Sequence, residues 1–163
     1  MLVKSLLPKA IEAMLNEAVQ SELYASHLYK HVANQLQRIG YFGAQKFFAS
    51  ESADELEHYQ KHADFLNDRG TVAKVPMLEA ITDPVASLRD ALEIAYETEL
   101  QLGKDYDRWY KASADEPSVQ QHLLQFIEIQ RKSVGEYGDL IARMDRAGAN
   151  EAAILLIDQE LGE

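Results

Sequence analysis

Glu55, Leu56, Glu57 and His58 set a carboxylate and an imidazole three residues apart in a stretch that reads as a long helix. On a helix, side chains at i and i+3 share a face. A glutamate and a histidine on one face can hold a transition metal between packed helices. Alone, the pair also suits a solvated, charged surface. What decides is whether other helices carry acids at matching depth inside apolar seams, because a lone carboxylate in a dry core costs several kcal/mol unless it is paired or metal-bound.

Such seams exist. In the first helical stretch, spacings of four and three link Ile11, Leu15, Ala18, Glu22, Ala25, Tyr29, Val32 and Leu36, the stripe of a core-facing helix. Glu22 interrupts it near the middle. In the third stretch Glu99 interrupts Leu88, Leu92, Ala95, Leu102 and Tyr106. In the fourth, Gln130 and Ser133 interrupt Val119, Leu123, Phe126, Tyr137, Leu140 and Met144. The second stretch is more polar: Phe48, Glu51, Glu55, His58, His62 and Phe65.

The resulting set is Glu22, Glu55, His58, Glu99 and Gln130. Three carboxylates, one imidazole and one amide oxygen suit iron or manganese better than zinc or copper by ligand hardness. Glu55, central in the set, could bridge two ions. Tyr29 follows Glu22 by seven residues on the same face; it could hydrogen-bond a ligand, give up an electron, or serve as a core tyrosine. His27, His31 and His122 fall off the seams and read as exposed. His62 follows His58 by four and could face inward near the site, though it reads first as a residue of the bundle end; Glu51 reads as solvated or lining a metal path.

The elements that must position these groups are helices of about 8–38, 42–69, 84–112 and 118–146, with a short one at about 150–160. Each long helix spans about 40–47 Å at 1.5 Å per residue. Gly40 and Gly43 mark a tight first turn, Gly70 and Gly148 mark helix ends, and Asp83 before Pro84 reads as an N-cap. Short first and third connections make antiparallel hairpins, and the longer middle one is a crossover. The expected fold is therefore all-α: a four-helix bundle with a long crossover between the second and third helices and a short fifth helix, in one domain over 1–163.

Composition narrows the function. The chain has 163 residues, 47% of them hydrophobic, and a formal net charge of −11. An acidic surface repels nucleic acid and anionic lipid and attracts cations. No apolar run reaches the roughly 18 residues of a membrane span. No cysteine is present, which removes disulfides, iron–sulfur clusters and thiol catalysis. With no secretory leader in the first residues, the expected location is cytoplasmic.

At this point the chain resembles the bacterial non-haem ferritins over nearly its full length. Glu22-Leu23-Tyr24-Ala25-Ser26-His27-Leu28-Tyr29 is similar to the family's E-L-Y-x-S-x-x-Y. Glu55-Leu56-Glu57-His58, Phe65-Leu66-Asn67-Asp68-Arg69-Gly70, Ser87-Leu88 and Tyr96-Glu97-Thr98-Glu99 also match, and Ile154 to Leu161 looks like the fifth helix. The resemblance implies a first iron site of Glu22, Glu55 and His58, a second of Glu55, Glu99 and Gln130, and Tyr29 beside them. It further implies a homo-oligomeric, 24-subunit shell that oxidises Fe(II) with O2 or H2O2 and stores ferric mineral.

The departures are informative. Bacterioferritins repeat Glu-x-x-His on the fourth helix, where this chain has Gln130 and Ser133, and carry a haem-ligating Met where this chain has Leu56. Haem is therefore not expected. A third iron site of the family falls on Ile129, Lys132 and Ser133, which are poor ligands. Alternatives are a cage subunit with little chemistry, a rubrerythrin-type oxidase or peroxidase, which usually carries a Cys-rich module, and a DNA-protecting small ferritin, which the charge opposes.

Overall fold

The computed structural model describes residues 3–163. Five helices account for its regular structure: α1 (Lys9–Ile39), α2 (Phe42–Asp68), α3 (Leu88–Ala112), α4 (Pro117–Ala147) and α5 (Glu151–Leu161). No strand occurs among the described residues, and none of these helices is long and apolar enough to cross a membrane.

The helix ends follow local chemistry. At Gly40, φ is +93°, and Tyr41 N–H reaches back to the Leu36 carbonyl at 3.0 Å, the hydrogen bond of a Schellman stop. The same device ends α2: Gly70 has φ +79°, and Thr71 N–H donates to the Leu66 carbonyl at 3.2 Å. One expected boundary is wrong. Helix α3 begins at Leu88, not at Pro84, because Ser87 is the cap: its hydroxyl accepts from Asp90 N–H at 3.0 Å, while the Asp90 carboxylate accepts from Ala86 N–H at 3.1 Å. This is a close variant of a capping box.

The chain divides into two compact units. The first comprises residues up to His31 together with Phe48–Asp83. Its core pairs the α1 seam of Ile11, Leu15, Ala18, Ala25 and Tyr29 with Phe48, Ala63 and Leu66 of α2, all buried. The Tyr29 and Phe48 rings lie 5.8 Å apart. Two serines lock the register of α1 on α2: the Ser26 hydroxyl donates to the Ser52 carbonyl and the Ser52 hydroxyl donates to the Ser26 carbonyl, each at 2.7 Å. Small side chains allow that close approach. The segment after α2 then runs along α1: Lys74 N–H donates to the Asn16 side chain at 2.8 Å, and the His31 ring donates to the Asp83 carbonyl at 2.7 Å. Asn16 and His31 are about 22 Å apart along a helix rising 1.5 Å per residue, so between these two contacts the crossover follows about half the length of α1.

The second unit comprises Val32–Phe47 and Pro84–Glu163. Helices α3 and α4 share a core in which Tyr106 stacks on Phe126 with centroids 5.3 Å apart and meets Trp109 edge-on at 5.0 Å. Helix α5 docks on the start of α2. The Asp158 carboxylate accepts from Ala44 N–H at 2.7 Å and from Gly43 N–H at 3.3 Å. It thereby supplies, from a distant part of the chain, the cap that the first turn of α2 lacks.

Candidate metal centre

The serine clasp places Glu22, one turn before Ser26, opposite Glu55, three residues after Ser52. Glu22 is fully buried, Glu55 is 4% exposed, and the His58 side chain is 12% exposed. His58 Nδ1 donates to Glu55 Oε2 at 2.9 Å and lies 3.7 Å from Glu22 Oε2. One ligand atom from each of Glu22, Glu55 and His58 falls within 4.8 Å of the others. Among the described residues this is the one such cluster of three or more His, Cys, Asp or Glu ligand groups.

Within the cluster, burial and the ion pairs pull the titrating groups in opposite directions. Burial alone would push the His58 ring toward neutrality, but hydrogen bonds and charge from Glu22 and Glu55 outweigh it and raise its pKa to about 10. For Glu22, burial pushes the carboxyl up, and contacts with His58 and Glu55 and the charges of His62 and His58 pull it below the usual carboxylate range. A proton on His58 Nδ1 thus stands where a cation would stand, between two carboxylates.

Glu99 and Gln130 belong to the second unit. Both interrupt their apolar seams as expected, and both are buried, at 0% and 2% exposure. Gln130 packs against α3 at Gly103, where an added Cβ would lie 3.7 Å from the Gln130 Cβ. Gly103 is one turn beyond Glu99, so acid and amide share one stretch of the α3–α4 interface. Neither polar atom of the Gln130 amide has a hydrogen-bond partner. An amide in that state costs about 1–3 kcal/mol, and a donated lone pair to a cation is one way to recover it. Ser133 is half-buried, and Tyr29 is fully buried beside Phe48.

Three histidines differ from expectation. His62 is not a bundle-end residue: it is fully buried, with Nε2 3.9 Å from Glu22 Oε1. His31 is half-buried through its bond to Asp83. His122 is also half-buried, edge-on to Phe126 at 5.2 Å. The register-setting Ser26 and Ser52 carried a weaker signal, small residues spaced one turn from the acids.

The ferritin-like domain family matches residues 12–147. The chain belongs to the ferritin family. It is 33% identical over 156 residues to a ferritin of Pacifastacus leniusculus, covering 90% of this chain and 84% of that protein. It is 24% identical over 160 residues to a bacterial non-heme ferritin of Bacteroides fragilis, covering 97% and 99%. Its fold matches the open-pore ferritin of the hyperthermophilic archaeon Archaeoglobus fulgidus with a TM-score of 0.92 at 23% identity, covering 96% of this chain and 98% of that one. The fold is thus that of the ferritins, an all-α four-helix bundle with a short C-terminal helix. Membership in the ferritin family supports iron storage as the protein's role.

Proposed function

We propose that this ferritin oxidises Fe(II) at a site within each subunit, using O2 or H2O2, and stores the ferric product inside a shell built of its own copies. The observation that carries this reading is the buried Glu22–Glu55–His58 cluster, with ligand atoms within 4.8 Å of one another. Its donors are two carboxylates and one imidazole, which suit Fe(II). Iron is the substrate and cargo here.

Each group has a defined task. Glu22 and Glu55 bring negative charge into an apolar hairpin and so attract the cation. His58 yields its Nδ1 proton as the ion arrives and offers the lone pair in its place, so binding releases a proton. Glu99 and Gln130 supply an oxygen pair for a second ion; Gln130 is neutral, which makes that position the weaker. Each Fe(II) gives up one electron, and two electrons with two protons reduce O2 to H2O2 or H2O2 to two waters. Tyr29 is seven residues beyond Glu22, about 10 Å along α1, within the range over which it could donate an electron to the site. Shell assembly is proposed on the chain's membership in the ferritin family. The acidic chain, with net charge −11, favours cation uptake over nucleic acid, and the family's usual cytoplasmic setting supplies Fe(II).

Crystals soaked in Fe(II) without oxygen, with diffraction recorded at the iron edge, test this. Anomalous density between Glu22, Glu55 and His58 is expected, with weaker density at Glu99 and Gln130. Density confined to surface carboxylates would overturn the proposal.

A further inference from the structure

Gly103 lies in the interior of α3, where glycine destabilises a helix relative to alanine. The backbone does not demand it: the glycines with positive φ are Gly40, Gly70 and Gly148. Close packing does not demand it either. A Cβ built on Gly103 would lie 3.7 Å from Gln130 Cβ, an ordinary van der Waals contact. Among the described residues, apart from its chain neighbours and the backbone of its own helix, no other heavy atom comes within 4 Å of that position. Room is therefore left where a side chain would stand. Gly103 is half-buried. Beside it Gln130 is 2% exposed, and neither atom of its amide has a hydrogen-bond partner. A long side chain at 103 would have a set direction, because helical side chains lean back over the residues three and four earlier. Here those are Leu100 and Glu99. A leucine at 103 would thus cover the turn that carries Glu99, next to Gln130.

We propose that Gly103 is a positioning residue for the second Fe(II): by carrying no side chain, it keeps open the space beside Glu99 and Gln130 that the ion and its solvent ligands fill. The proposal rests on the reading of Glu99 and Gln130 as the second metal position. It supplies no ligand atom of its own. A carboxylate and an amide oxygen leave other positions on the ion to solvent, and solvent needs polar room of its own. A larger residue at 103 would improve the helix and close that room, so the glycine trades stability for metal capacity.

A size series at position 103 tests this, with Co(II) as the probe. Each metal-stripped full chain is titrated with Co(II) in the absence of oxygen, bound ions are counted by calorimetry, and the melting temperature is recorded before metal is added. The native protein should bind two Co(II) per chain, the second more weakly. Gly103→Ala adds a methyl group that fits; it should bind both ions and melt about 2–4 °C higher. Gly103→Leu should keep the first ion, lose the second, and melt no lower than the native protein. Gly103→Met, which adapts to irregular gaps, should do the same. Both larger variants binding two Co(II) with native affinity would overturn the role of Gly103 and leave the second position standing. Loss of the second ion already in Gly103→Ala, or failure of both larger variants to fold, would also overturn it, because the space would then not be open. A native protein that binds Co(II) only at Glu22, Glu55 and His58 overturns the second position itself, and the role of Gly103 with it.

Discussion

Gln130→Met should stabilise the metal-free protein while weakening the second metal position proposed at Glu99 and Gln130. Gln130 is 2% exposed, and both polar atoms of its amide lack hydrogen-bond partners. Methionine has nearly the same length and flexibility, so its packing against Gly103 should persist. Removing an unsatisfied buried amide recovers about 1–3 kcal/mol. For a chain of this size each kcal/mol moves the melting temperature by about 2–4 °C, so a rise of about 2–12 °C is expected. The assay is thermal unfolding of metal-stripped native and variant proteins at equal concentration, paired with calorimetric titration of Co(II). Retained stability with lost metal capacity is the signature of a residue kept for function at a cost in stability. A variant that melts at or below the native temperature would refute the reasoning, since it would mean that the amide contributes structure.

Further outcomes follow from the helix contacts and charges. In Gly43→Ala the new Cβ would lie 1.7 Å from the Asp158 carbonyl oxygen, so α5 must leave its seat, and limited proteolysis should cut the C-terminal helix far faster than in the native protein. Asp158→Asn, which keeps an acceptor for Ala44 N–H but loses the charge at the start of α2, should cost only about 1 kcal/mol in denaturant unfolding; equal protease resistance in both variants would contradict the docking role. The metal-free protein should also show a specific pH dependence. The His58 pKa is raised from 6.5 to about 10, so its stabilising contribution is complete below pH 6.5 and fades as pH rises toward 10. Urea unfolding across that range should show a decline that His58→Gln flattens; an unchanged slope would count against the His58 ion pairs.

Much of this was legible in the sequence because burial leaves a period. The seams of α1, α3 and α4 could be read directly, and every apolar position named in them is buried. Glu22, Glu99 and Gln130 stood out there as polar entries. Helix α2 is harder, because polar residues on most of its turns give no clear face, so an inward His62 is only the second of its two readings. The start of α3 was misread because Asp83-Pro84 is a strong local signal, yet Ser87 and Asp90 make the better cap. The serine clasp and the Asp158 cap join residues 26 and more than 100 positions apart, and pairings at such separations have no signature in one sequence.

The central claim is that Glu55, shared out of the solvent with Glu22 and His58, makes this ferritin an Fe(II) oxidase. Stopped-flow mixing of the Fe(II)-loaded protein, at about two Fe(II) per chain, with oxygenated buffer measures it directly. The native protein should form a ferric chromophore, and Glu55→Ala, assembled as intact shells, should form it at least about 100-fold more slowly, since even groups that merely orient metal ligands cost up to that much. Native and variant shells that oxidise iron at the same rate would contradict the account.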